Sequence, residues 1–356
     1  MVLEVVDEFE SQLRELFAVD HPALAHTPAF PNEFKKHLKG LKTLRPLTEW
    51  GRWIYFPWLA TLTHLLPEPE FQRVRTARNR YLITEEEQEL FYQAVVGVAG
   101  LSVGSSVALA IVLQGGARHI KLADLDHLEL SNLNRISAGV EGLGLNKAEL
   151  VARQIYTMNP YARVELFPNG LTAKNIRKFF AGPPALSVMI DEIDNLEVKY
   201  MIREEARKRR VAVVMAADNG DNGVVDVERY DEHKATEFFH GRLGKVTRKQ
   251  LAGLSKLETG RLITRHVGLE HVTERMQRSL TEIGRSVVSW PQLGGAALLN
   301  GAAVAYCVRK IVTGEPLEAN RGVVSLDTIL TPDYNHPRAR AGRRKAAGVF
   351  KKMFNL

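Results

Sequence analysis

The sequence predicts an α/β protein built on a doubly wound, mainly parallel sheet with helices on both faces, plus a small N-terminal α+β extension. Three observations predict it. Between Ala94 and Ala123 a short apolar strand, a glycine-bearing turn, a small-residue helix and a second strand follow one another. Further short apolar runs, Ala162–Phe167, Leu186–Ile190 and Val211–Ala216, alternate with helical stretches near 146–157 and 195–208. Over 356 positions, 45% hydrophobic and 25% charged residues are ordinary values for a chain that buries a sizeable core. The arrangement is Rossmann-like. It divides into an N-terminal extension (1–72), a main domain (73–330) and a basic C-terminal tail (331–356).

Each element has its local reason. Val2, Val5, Val6, Phe9, Leu13, Leu16 and Phe17 share one face at helical spacing, so 2–17 reads as an amphipathic helix. A Pro-punctuated stretch, 21–46, follows, and then Trp50–Pro67 reads as one or two aromatic-rich strands holding three of the four tryptophans. Thr84 and Glu87 fit a capping box opening a helix to about Tyr92. Ala94–Val98 is a buried strand, Ser105–Leu113 a helix and His119–Ala123 the next strand. Residues 232–286 look helical and polar, an insertion or lid. Leu293–Val312 is a Gly/Ala-rich helix that should pack closely. Asp218–Gly223 reads as a turn between two strands.

The formal net charge is +7, and Tyr334–Leu356 holds seven Lys or Arg with no acid. The basic balance therefore belongs to the tail, expected to be a solvated, flexible terminus, and any nucleic acid would be met only there. The N-terminus has early acids and no apolar signal core, and the longest apolar stretch, Leu293–Val308, is shorter than a membrane span. These readings predict a cytoplasmic protein without a membrane partner. One cysteine, Cys307, makes neither an internal disulfide nor a Cys-based zinc site, so no zinc is expected. Its apolar helix marks it as a buried core residue. The histidines His119, His127, His266 and His271 do not cluster, so no metal is assigned to them.

Three motifs carry chemistry. In Val95–Ser105 a strand runs through glycines into a helix, which lets backbone N–H groups approach a phosphate. Asp124 ends the second strand, 24 residues after Gly100, where an acid accepts hydrogen bonds from ribose hydroxyls; nicotinamide dinucleotides and ATP fit equally. Then come Asn132 and Arg135, Lys147 twelve residues on, and the strand-end run Asp191-Glu192-Ile193-Asp194-Asn195. Hydride transfer has no use for an arginine, a lysine and an acid aimed at one ligand. Adenylyl or phosphoryl transfer needs cations for the phosphates and a carboxylate for Mg²⁺.

The run Asp124–Arg135, D-L-D-H-L-E-L-S-N-L-N-R, resembles the D-x-D-x-V-x-x-S-N-L-x-R signature of the ThiF/MoeB/HesA and ubiquitin-activating superfamily. A lysine and then a D-x-x-D-N strand end follow at nearly the family's spacing. The whole chain, with its W-I-Y-F-P-W segment, is most similar to the ThiF-like portion of some bacterial nitroreductase fusion proteins. The resemblance implies an ATP-dependent adenylyltransferase with ATP and Mg²⁺. It implies that Gly100, Ser102 and Gly104 sit in the phosphate turn, that Asp124 binds ribose, and that Asn132, Arg135 and Lys147 contact phosphates. Asp194 would hold Mg²⁺ and position the attacking carboxylate. Arg75-Thr76-Ala77-Arg78-Asn79 fits the family's R-x-x-R-[QN] segment, so Arg78 would reach the ATP of a partner subunit in a homodimer.

The departures matter too. The usual phosphate turn, G-x-G-G-x-G, here reads Gly100-Leu101-Ser102-Val103-Gly104-Ser105, and a Cβ near the nucleotide threatens a clash or a shifted turn. No cysteine stands where relatives form a thioester, so the adenylate would pass directly to a nucleophile. A peptide or protein carboxylate is the first expectation, with the aromatic extension as a peptide clamp. A tRNA-linked or small-molecule carboxylate is the second, and a non-catalytic dimeric scaffold of the same fold is the alternative from another class.

Overall fold

The computed structural model describes residues 2–354, and two compact units divide the chain: 1–89 with 157–161, and 90–156 with 162–356. The first unit opens with strand β1 (Glu4–Asp7), helix α1 (Phe9–Asp20), a single turn α2 (Pro22–Ala25) and α3 (Phe30–Leu44). Strands β2 (Arg52–Phe56) and β3 (Thr61–Leu65) and helix α4 (Glu68–Arg75) follow. The expected helix over 2–17 is thus a strand and then a helix. The β-branched pair Val5 and Val6 pairs in parallel with Leu62 and Thr63 at the edge of β3, and only from Phe9 does the chain turn helical. Trp50–Pro67 forms the β2–β3 hairpin. The core joins Phe9 and Leu13 of α1 to Phe34 and Leu38 of α3, with Phe71 and Val74 of α4 packed against it. This unit therefore runs past residue 72.

The second unit holds a seven-stranded sheet and the helices that flank it. After α5 (Glu85–Gln93) come β4 (Val95–Ala99), α6 (Val103–Leu113), β5 (His119–Ala123), α7 (Lys147–Met158) and β6 (Arg163–Phe167). Then follow α8 (Ile176–Ala181), β7 (Val188–Asp191), α9 (Leu196–Arg209), β8 (Ala212–Asn219) and β9 (Asn222–Glu228). Thr84 and Glu87 make the expected capping box, each side chain accepting the other's backbone N–H. The sheet order is β10-β9-β8-β7-β4-β5-β6; β8, β7, β4, β5 and β6 run parallel, β9 antiparallel to β8, and β10 (Arg321–Val324) antiparallel to β9. From β4 the chain winds outward to β5 and β6, then returns to β7 on β4's other side. The carboxyl ends of β4 and β7 are the topological switch point, where open α/β sheets bind ligands.

Alternation along the strands covers both faces. Val95, Ala99, Met189 and Val213 join a core with Phe179, Phe180, Ile202 and Ala206 of α8 and α9. The intervening Val96, Val98, Val188 and Ile190 are equally buried and point the other way. Helix α13 (Gly294–Thr313) packs along α6 and against β7, β8 and β9. A Cβ at Gly301 would lie 2.8 Å from the Ser106 backbone, so glycine sets this close approach. The helix matches the expected Leu293–Val312 to within a residue at each end, and by length and composition it is the one described helix able to cross a membrane. Here its buried residues, Ala296, Ala297, Val304, Ala305 and Val308, serve as core.

Residues 232–286 carry α10 (Arg248–Ala252), α11 (Lys256–Val267) and α12 (Glu274–Thr281), the first two opened by the capping boxes Thr247/Gln250 and Ser255/Glu258. After α14 (Leu326–Leu330), the basic tail is a helix, α15 (Pro337–Phe354), and not a flexible terminus. Phe350 and Phe354 stack at an i, i+4 spacing, and Phe350 is buried against Val272, Met276 and Leu280. The apolar stripe holds the helix down while its basic residues face outward.

Candidate active site

A cavity of about 1680 Å³ opens at the switch point, lined by the ends of β4, β5, β7 and β8 and by the 254–292 region. Its floor is a loop contact only glycine allows. Gly100 has φ +85°, and a Cβ there would lie 2.3 Å from the Glu192 carbonyl oxygen. The Gly100 N–H donates to Ala123 O (2.9 Å), and the Glu192 N–H donates to Ala99 O (2.8 Å), binding the three strand ends together.

Asp124 is buried, and its carboxylate accepts the N–H groups of Leu101 (2.6 Å) and Asp126 (2.8 Å). Burial raises its pKa, against these two hydrogen bonds and the charge of Lys147. Asp124 thus ties the glycine turn to the end of β5 while facing the cavity. Ser102, feared as a clash, does something else. Its Oγ accepts a hydrogen bond from Arg135 Nε at 2.8 Å, and its φ of −78° needs no glycine. The same guanidinium donates to Asn134 Oδ1 (2.9 Å), so the residue that replaces glycine fixes one edge of the arginine. Burial lowers the pKa of Arg135; Asp218 and Asp194 favour its charged form.

Asn132 is buried on the cavity wall, and its Oδ1 accepts the Glu129 N–H (3.1 Å), closing a short 3₁₀ turn. Lys147 opens α7, and its ammonium lies 3.1 Å from Asp126 Oδ2. Asp194 lines the cavity. Solvent reaches it through that space although protein surrounds it, and this enclosure raises its carboxyl pKa against the charges of Lys199, Lys147 and Arg135. The structure therefore brings Gly100, Ser102, Asp124, Asn132, Arg135, Lys147 and Asp194 to one cavity. Gly104 is not among the lining residues. It sits in α6 with its Cβ position 3.0 Å from Val98 and serves helix–strand packing. Arg78 is exposed on a 3₁₀ turn, Ala77–Asn79, of the other unit.

Sequence reasoning gave no role to Glu192 or Lys199, and read Asp218 only as part of a turn that the family resemblance sets beside the acyl-acceptor site. Glu192 accepts the Ala216 N–H (2.8 Å), and burial holds its pKa well above the usual carboxylate range. Asp218 accepts from Asn300 Nδ2 (2.6 Å) and Gln292 Nε2 (3.2 Å), and burial raises its pKa too. Lys199 lies 3.2 Å from the wholly buried Asp191, which also takes Arg203 at 2.5 Å. The signal was available: Asp218 ends β8 on the edge of the sheet where β4, β5 and β7 present their own site residues. Cys307 is buried on α13, away from the cavity lining, and burial pushes its thiol up to about 11.

A switch-point cavity with a glycine turn, two cations and several enclosed carboxylates defines a nucleotide-using enzyme of the adenylyl-transferring class. Residues 76–334 match the ThiF family, and the chain belongs to that family of ATP-dependent adenylyltransferases. It is 38% identical over 307 residues to "Uncharacterized protein MT1398" of Mycobacterium tuberculosis (85% of this chain, 42% of that protein). It is 27% identical over 194 residues to the tRNA threonylcarbamoyladenosine dehydratase of Escherichia coli (53% and 71%), and 28% identical over 155 residues to the sulfur carrier protein adenylyltransferase of Thermus thermophilus (43% and 53%). The chain thus spans well under two thirds of the first and third of these proteins. Among solved structures it shares the fold of PaaA (TM-score 0.51, 19% identity, 86% of each chain) and of E. coli MccB with ATP (TM-score 0.51, 17% identity, 74% and 77%).

Proposed function

We propose that this chain activates a carboxylate of a peptide or protein as its acyl-adenylate. A carboxylate oxygen attacks the α-phosphorus of ATP, an O–P bond forms, the bond to the β-phosphate bridging oxygen breaks, and pyrophosphate leaves with the electron pair. The observation that carries this reading is the convergence of Arg135, Lys147 and Asp194 on the cavity beside the Gly100 turn. Arg135 and Lys147 offset the charge that grows on the departing pyrophosphate. The N-terminal end of α6 presents N–H groups to the phosphates beside Asn132, and Asp124 holds the ribose. The fit to Mg²⁺ rests on Asp194, an enclosed carboxylate that takes no hydrogen bond among the described residues. Asp194 would hold the ion, which supplies charge neutralisation at the phosphates when bound.

With Cys307 buried and its thiol a poor thiolate source, this chain offers no enzyme thioester, and the adenylate passes directly to its acceptor. We also assign Arg78 a role in the site of a second copy, which makes the working unit a homodimer. Pyrophosphate exchange into ATP, measured with Mg²⁺ and candidate peptides, tests the chemistry; exchange that survives Asp194→Ala refutes the assignment of Asp194. Mixing Arg78→Ala with Asp194→Ala subunits tests the dimer, since one intact shared site should return part of the activity.

A second reading is a tRNA-linked carboxylate. It rests on α15, which carries seven Lys or Arg along one helix. Retention of tRNA that depends on those residues, with exchange stimulated by tRNA and not by peptide, would favour it.

A further inference from the structure

The cavity has two unlike halves. Strand ends supply one, with Asp124, Asp126, Glu192, Asp194 and Asp218 among its walls. The insertion and the last turn of α15 supply the other: Leu257 and Ile263 of α11, Ile283 and Trp290 beyond α12, and Met353 and Phe354 of α15. No acidic side chain lines this second half among the described residues, and Arg285 does. Its apolar groups are left in water: Leu257 is 55% exposed and Met353 65%. Apolar side chains gathered around one cavity and unburied mark a ligand surface. Arg261 Nε donates to Phe354 O at 2.8 Å, which fixes the last turn of α15 as part of the wall. The total volume also exceeds the roughly 300–1,000 Å³ of an ordinary small-ligand pocket, leaving room beside a nucleotide for a second ligand.

Building on the adenylation reading, we infer that the second half is the acyl-substrate compartment, and that its occupant is a peptide C-terminus whose last residues are apolar. The free carboxylate is repelled by no acid on entry and is drawn towards Arg285 and then Arg135. The apolar side chains behind it cover Leu257, Ile283, Trp290 and Met353. The basic helix α15 therefore contributes its apolar end to specificity.

The test uses the full chain, Mg²⁺-ATP and three pools of synthetic decapeptides, their last three positions drawn from Leu/Ile/Phe/Val, from Ser/Asn/Gln or from Asp/Glu, each as free acid and as C-terminal amide. A pool of small apolar acids, such as isovalerate and phenylacetate, runs beside them. Exchange should be at least tenfold faster with the apolar free-acid peptides and absent with their amides. Leu257→Asp and Met353→Asp, both at exposed positions, should raise the apparent KM for that pool about tenfold and leave ATP affinity unchanged. Equal exchange from all free-acid pools overturns the inference and leaves adenylation standing; stimulation by the small acids alone overturns the peptide occupant. If no pool stimulates exchange, the adenylation reading is the part that fails. The compartment is then read directly with the apolar anion 1-anilinonaphthalene-8-sulfonate: fluorescence enhancement lost in both variants supports it, and enhancement unchanged in both overturns it.

Discussion

Replacing Ser102 by alanine removes the acceptor that holds Arg135 Nε at 2.8 Å and leaves the backbone, whose φ of −78° suits any residue, untouched. The bond is partly buried and its donor is charged, so its loss should cost about 1.5 kcal/mol in holding the guanidinium. That corresponds to about a tenfold weaker ATP affinity, read by calorimetry. Ser102→Gly restores the family's residue but adds backbone freedom worth about 0.5–1 kcal/mol. It should therefore be no better than alanine, and Ser102→Thr should keep most of the affinity. The decisive comparison is the double-mutant cycle. If Ser102 acts through Arg135, Ser102→Ala has no further effect once Arg135 is alanine. Additive losses would refute the coupling, and a Ser102→Gly protein that binds ATP more tightly than wild type would show that the hydroxyl crowds the nucleotide.

Three further outcomes follow from the same geometry. Gly100→Ala places a Cβ 2.3 Å from the Glu192 carbonyl at a φ of +85°, and should lower stability by about 2 kcal/mol or more, seen as a lower Tm together with lost ATP binding. His266 is buried, and desolvation depresses its pKa to about 3 from an ordinary value near 6.5. The unfolded chain therefore takes up this proton first. Stability is full above pH 6.5 and falls by about 1 kcal/mol per unit as pH drops towards 3; in urea titrations across that range His266→Phe should flatten the slope. Cys307→Ala should leave exchange activity within twofold, because the thiol lies in the α13 core and outside the cavity; loss of activity in a well-folded variant would reinstate a thiol step.

The sheet was legible because its strands are short, apolar and bounded by turns, so local pattern and tertiary role agree. His119–Ala123 matches β5 residue for residue. Two errors share a cause. In Val2–Phe17 a helical stripe and a β-branched pair coexist, and pairing with the edge of β3, where Val5 meets Leu62 and Val6 meets Thr63, decides in favour of a strand. In the tail, seven cations hide a stripe in which Phe350 and Phe354 find a partner surface that local composition does not reveal. The cavity lining was legible where a residue type recurs at a fixed distance from a strand end, as for Asp124, Arg135, Lys147 and Asp194, which all line it. It was not legible where a residue changes role through its neighbour. Ser102 reads as a lost glycine in one dimension and as the holder of Arg135 in three. Glu192 reads only as one member of a strand-end run and Asp218 as the start of a turn, yet their side chains take N–H donors from Ala216 and Asn300 and close the cavity between β7 and β8. Both carboxylates line the cavity and burial raises both, which suits Asp218 to take the proton of an incoming acceptor nucleophile. Asp218→Asn should therefore slow transfer to the acceptor more than it slows pyrophosphate exchange. Equal loss in both steps would place Asp218 with the nucleotide instead.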